Sequence, residues 1–245
     1  MINDHLVIRE NLYIWKVFAW AGPLYLGGLL IFWGLIAGYI PAPRQYWSAQ
    51  EITQFFLDNN VRIRTGMVGT MFIAPFYYIW SLVICSLMRR IEGQNGLLSQ
   101  VEFVGGIATA FVTLVFGWMF LTASFRTELR SPEDIQLLSD LGWLFFDMTI
   151  MVTLLQMCAF GTALLLDKRE DKLFPTWLAW LSYGVAATFL TAYLMPFFVS
   201  GPFAWHGFVT YWVVLSGFFI WMLLTCYYIF PAIRKVEKED DELYR

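Results

Sequence analysis

Six apolar stretches, at residues 17–40, 66–88, 103–125, 141–166, 173–199 and 207–233, alternate along the chain with short charged connections. A helix of about 20 such residues crosses the ~30 Å hydrocarbon core of a bilayer. A transmembrane barrel would instead show segments of about 10 residues with strict alternation, and no period of two runs through these stretches. The pattern predicts an all-α integral membrane protein: a six-transmembrane-helix bundle forming one membrane domain over residues 1–236, with an acidic cytoplasmic tail over 237–245. The first stretch lacks a clear small-residue cleavage site and reads as the first helix of the bundle, not as a signal peptide.

The connections differ in kind on the two sides. Those after the second and fourth stretches are short and charged, around Arg89-Arg90 and Lys168-Arg169. Those after the first and third carry helix-opening signals. Ser48 stands three residues before Glu51, a capping box, with Ile52, Phe55 and Phe56 following at helical spacing. Ser131, Pro132, Glu133 and Asp134 supply an N-cap, a proline at the first helical position and acidic residues in the first turn. Short amphipathic helices are therefore expected on that side.

Basic residues resist translocation, so their distribution orients the bundle. Arg9, Lys16, Arg89, Arg90, Lys168, Arg169, Lys172, Arg234, Lys235, Lys238 and Arg245 all fall on the side of the two termini. Both termini are expected in the cytoplasm and the amphipathic helices on the outer side of a plasma membrane, with short loops of the kind found in a prokaryotic inner membrane.

With 59% hydrophobic and 14% charged residues, the chain lies outside the balance of a soluble domain. The net charge of −3 comes largely from the Glu237-Lys-Glu-Asp-Asp-Glu242 run, which reads as a solvated, mobile tail, so the charge implies little about partners. No basic face with interleaved aromatics is present, which excludes nucleic-acid binding. Cys85, Cys158 and Cys226 lie inside predicted helices without metal-ligand spacing and read as small apolar residues.

Asp147 is the one charged residue within any of the six stretches, and an intramembrane carboxyl is a functional pointer. Asp140 and Trp143 share its helix face by i, i+7 and i, i+4 spacing. Arg62, Arg64, Arg126, Glu128, Trp205 and His206 all belong to the outer ends of other helices. Together these nine residues are the expected lining of an outward-facing cleft for a hydrophobic or amphipathic small molecule, with its apolar bulk among aromatics and its polar head on Arg and Asp. Arg62, Arg64, Arg126 and Arg130 could equally pair with Asp58, Glu128, Glu133 and Asp140 to hold loops.

Two histidines are too few for a histidine-rich di-iron site, and no phosphate loop, GxSxG elbow, intramembrane lysine, metal cluster or cofactor motif occurs. No cofactor or metal is expected. A site that binds, transports or delivers a lipophilic ligand is the leading reading. An accessory or scaffold subunit, working with a membrane-protein partner or as a homo-oligomer, is the second. A carboxylate acid/base enzyme of isomerase or cyclase type, with Asp147 as the catalytic group, is the third.

Overall fold

The computed structural model describes residues 12–243, and these are predominantly helical with no strand among them. Six helical segments are long and apolar enough to cross a membrane: Leu12–Ile36, Asn60–Glu92, Leu97–Ser124, Pro132–Leu166, Thr176–Phe197 and Phe208–Leu243. We number the helices α1 (Leu12–Ile36), α2 (Ala49–Asp58), α3 (Asn60–Glu92), α4 (Leu97–Ser124), α5 (Pro132–Met148), α6 (Met151–Leu166), α7 (Thr176–Phe197) and α8 (Phe208–Leu243).

Both helix-opening signals take the form their residues dictate. At α2 the Glu51 amide donates to Ser48 Oγ at 3.3 Å and the Ser48 amide donates to Glu51 Oε2 at 2.8 Å. These bonds from Ser48 hold the Glu51 carboxyl below the usual glutamate range. The apolar face of α2 turns to the bundle, burying Ile52 and Phe56. At α5 the Asp134 amide donates to Ser131 Oγ at 3.2 Å. No separate amphipathic turn follows: α5 runs on from this cap into the fourth span without interruption as far as Met148.

Four spans depart from α geometry, and they do so in one region. The last two turns of α1, Leu29–Ile36, widen to π-helical bonding, and the Ala37 amide reaches back to Phe32 O at 2.9 Å. The fourth span breaks at Thr149 and Ile150, between α5 and α6. Here Thr149 Oγ1 donates to Phe145 O at 2.6 Å, and the Tyr193 hydroxyl of α7 donates to Met148 O at 3.1 Å, replacing intrahelical bonds. From Leu190 to Phe197, α7 tightens to a 3₁₀ helix, and α8 opens with a π turn over Phe208–Val213. Backbone without regular helix bonding persists at membrane depth only where protein buries it or a cavity borders it.

The bundle end that carries the termini is tied by ion pairs. Lys16 meets Glu237 at 2.7 Å, Arg90 grips Asp240 through both guanidinium nitrogens at 2.9 and 2.7 Å, and Arg169 reaches Glu239 at 3.2 Å. The acidic run expected as a mobile tail instead continues α8 as far as Leu243, because its carboxylates meet the basic flanks of α1, α3 and the α6–α7 connection.

Candidate functional site

Asp147 occupies the last turn of α5, one residue before Met148 ends the helix. It is 6% exposed and sits in the wall of an internal cavity of about 70 Å³, with α1, α4, α6, α7 and α8 supplying the remainder of the lining. Leu29, Ile150, Phe189, Thr210 and Tyr211 line it from the segments where helix geometry changes, so the irregular backbone borders this space. A water needs roughly 10 to 15 Å³ measured this way. The cavity therefore suits a few waters, a molecule of a few heavy atoms, or the head of a longer one.

The walls are aromatic and hydroxylic. Trp143 lies one turn before Asp147, and around it Trp33, Tyr39, Phe120, Phe146 and Tyr211 pack with ring centroids between 5.6 and 6.5 Å. The lining hydroxyls are occupied. Thr109 Oγ1 meets Thr153 Oγ1 at 2.7 Å, Tyr25 OH meets Thr113 Oγ1 at 2.8 Å, Thr210 Oγ1 donates to Phe203 O at 2.9 Å, and the Tyr211 hydroxyl donates to Tyr39 O. Two polar atoms are not: the carboxyl oxygen Asp147 Oδ2 and the indole Nε1 of Trp143 are buried without a hydrogen-bond partner. One accepts and the other donates, on side chains one helical turn apart. Among the described residues no lysine, arginine or histidine lines the cavity.

The nine residues singled out in the sequence divide in two. Asp147 and Trp143 share the cavity, while Asp140, a turn further out, is half-buried and does not border it. Trp205 stacks on Trp143, with centroids 5.6 Å apart and planes 8° from parallel. Its indole donates to Pro43 O at 2.7 Å, and beside it His206 Nδ1 accepts from the Gln45 amide at 3.1 Å, so both close the region behind Trp143. Arg62 donates to Ile36 O at 3.2 Å and Leu35 O at 3.1 Å, and Arg64 donates to Ser124 O at 3.0 and 2.7 Å. These guanidinium groups satisfy carbonyls at the ends of α1 and α4, where helix bonding stops and the dipole is negative. Arg126 is exposed over the Phe125 ring at 5.0 Å, and Glu128 is exposed in the same connection. None of Arg62, Arg64, Arg126 and Arg130 forms an ion pair among the described residues.

A second buried carboxyl escapes the reading of apolar stretches. Glu102 stands one residue before the third stretch, yet α4 begins at Leu97 and buries Glu102 completely. The signal was the stripe Ser99, Glu102, Gly106, Thr109 and Thr113, whose alternating spacing of three and four defines one helix face of small and hydroxyl residues. Among the described residues no cluster of three or more His, Cys, Asp or Glu side chains could hold a metal ion.

No protein-family model, curated protein or solved structure matches this chain. The site's geometry is therefore the basis for its chemistry.

His206 gives the loop over Trp143 a pH dependence. Burial, and then the positive charge of Arg44, hold its imidazole below the usual histidine range. As pH falls through about 6.5, the unfolded chain takes up this proton before the folded chain does, so the folded state is favoured less. Thermal unfolding is expected at a lower temperature just below that pH than above it, with the difference reduced in His206→Gln. An equal slope in the variant would assign the effect to another group.

Proposed function

We propose that this multi-pass membrane protein binds a small hydrophobic or amphipathic molecule in the Asp147 cavity, through a head group that donates a hydrogen bond to the carboxyl, and that it serves to transport or deliver it. The observation that carries this reading is Asp147 itself, a buried carboxyl without a hydrogen-bond partner beside a broken helix, in a cavity with no basic side chain. A carboxyl kept only for packing would be expected to have partners on its oxygens. The unpartnered indole of Trp143 adds a donor, so a hydroxyl head group, which both donates and accepts, answers both atoms, while an ammonium head, which only donates, answers the carboxyl. Aromatic faces around it favour a positively charged or donor-bearing head over an anion. Broken and irregular helices around an intramembrane site recur in secondary transporters, which supports movement of the ligand and not only its storage. The one-sided basic residues support a plasma-membrane setting with both termini in the cytoplasm.

The test is thermal unfolding of the purified full chain in lipid nanodiscs with n-butylamine, n-butanol or butyrate. The amine and alcohol are expected to raise the unfolding temperature saturably, by roughly 3 to 6 °C at ten times the dissociation constant. Butyrate is expected to do nothing, and Asp147→Asn to remove the amine effect. Stabilisation by butyrate, an equal response in Asp147→Asn, or no response to either donor would sink the reading.

A further inference from the structure

Glu102 is fully buried on α4, and its Oε1 accepts from Ser81 Oγ of α3 at 2.9 Å and from Gln156 Nε2 of α6 at 2.8 Å. Its other oxygen, Oε2, is buried without a partner, and no cation is bonded to either. The polar contacts continue beyond Gln156. The Tyr77 hydroxyl donates to Gln156 Oε1 at 2.9 Å and lies beside the Thr109 hydroxyl. Thr109 meets Thr153 at 2.7 Å, Thr113 Oγ1 donates to Thr109 O at 3.1 Å, and Tyr25 meets Thr113 at 2.8 Å. Thr109, Thr113, Thr153 and Tyr25 are walls of the Asp147 cavity. Along α4, Glu102 stands five residues from the helix start at Leu97, and Thr113 lies eleven residues further on. At 1.5 Å per residue this polar column covers about 16 Å, roughly half of a hydrocarbon core.

We propose that Glu102 is a proton-binding site coupled to the Asp147 cavity through Gln156 and Tyr77. The proton is exchanged with water: a hydronium ion loses one as the carboxyl O–H forms, and water takes it back when the carboxylate returns. The glutamine amide carries no proton onward; it transmits polarity. With Glu102 accepting, the amide turns its NH₂ to the carboxyl and its oxygen to Tyr77, the arrangement observed. When Glu102 instead donates to the amide oxygen, the NH₂ group must face Tyr77, whose hydroxyl then accepts and aims its proton toward Thr109. The proton on Glu102 thereby sets whether the cavity wall meets a donor or an acceptor, and links ligand occupancy to proton occupancy. The other ionisable groups around the column, among the described residues, are Cys85 and, further along α3, Arg89 and Glu92, with Tyr25 of α1 and Cys226 of α8 beside Tyr77. Gly106 permits this arrangement, since a Cβ there would overlap the Ser81 hydroxyl.

The proposal takes the Asp147 cavity as the ligand site, but its test uses the proton alone and so is separable from ligand binding. Infrared difference spectra of the full chain in lipid, recorded as pH is stepped, report protonated carboxyl groups directly. The wild type is expected to show a titrating carboxyl band that Glu102→Gln removes. Its midpoint is expected to move several-fold in proton concentration in Asp147→Asn, and this movement is expected to vanish when Tyr77→Phe is added. A Glu102 band that never titrates while the protein remains folded overturns the proton site, and a band that titrates identically with and without Asp147 overturns the coupling. Should Glu102→Gln fail to fold, Ser81→Ala identifies the same band: loss of one donor must shift it, and an unshifted band overturns the assignment.

Discussion

Gly66→Ala is expected to destabilise the protein strongly. Gly66 lies where α3 crosses the widened end of α1, and a Cβ placed there would stand 2.7 Å from the Ala37 amide nitrogen and closer still to the Phe32 carbonyl oxygen. Both atoms are backbone, and they are the partners of the hydrogen bond that closes the π-helical turn. No rotamer change relieves the overlap, so α1 must move away from α3. Small residues at membrane helix crossings permit such close approach, and dispersion lost over the interface is not recovered from lipid. Overpacking costs typically 1–3 kcal/mol where side chains can yield, so a contact against backbone is expected at about 3 kcal/mol or above. Gly184→Ala is the control. Its Cβ meets nothing within 4 Å, and a helix-interior alanine in place of glycine is expected to be neutral or to stabilise by up to about 1 kcal/mol. Unfolding of the two variants in the same detergent decides the matter, and equal stability would mean that α1 and α3 do not pack this closely. The cavity is touched as well, because Leu29, in the same π segment of α1, forms one of its walls.

What the sequence disclosed and what it hid separate along physical lines. The six spans were legible because a run of apolar residues long enough to cross a bilayer has few other uses, and the Ser48 and Ser131 caps because capping depends on residues within one turn. That Asp147 and Trp143 face the same space was legible because i, i+4 spacing puts them on one face whatever the tertiary fold. The break at Thr149 and Ile150 was not. No proline or glycine marks it, and the hydroxyl that takes over Met148 O belongs to Tyr193, on another helix. Arg62 and Arg64 were placed at the correct helix end but not with the correct partners, since the carbonyls they satisfy belong to α1 and α4 and no ligand is needed to explain them. Glu102 was hidden by the edge of a hydropathy window. A polar residue five positions inside a helix looks like a flank until the neighbours that bury it are known.

Asp147→Asn and Asp147→Leu are expected to stabilise the protein while removing its response to amines. In general a carboxyl that holds a fold together does so through bonds to both oxygens, and its loss costs stability. Among the described residues Asp147 has no such bonds: Oδ2 is buried and unpartnered, and no basic side chain borders the cavity. An aspartate at the centre of a membrane helix costs about 2.5–3.5 kcal/mol on insertion scales, so its replacement by Leu should return part of that, about 1–3 kcal/mol, as the cavity has room for the slightly bulkier methyl groups that take the places of the carboxyl oxygens. Asn keeps the shape and an acceptor but offers no charge to an amine, and its gain should be smaller. Stability bought by removing a functional group is the signature of a site maintained against folding, whereas a packing carboxyl moves the other way. The measurement pairs thermal unfolding with n-butylamine binding for the wild type and both variants. Lower stability in both variants, with amine binding retained, would make Asp147 structural and leave the cavity without its carboxyl anchor. Higher stability with binding lost would mean that the chain carries an unfavourable carboxyl at membrane depth because something must bind to it there.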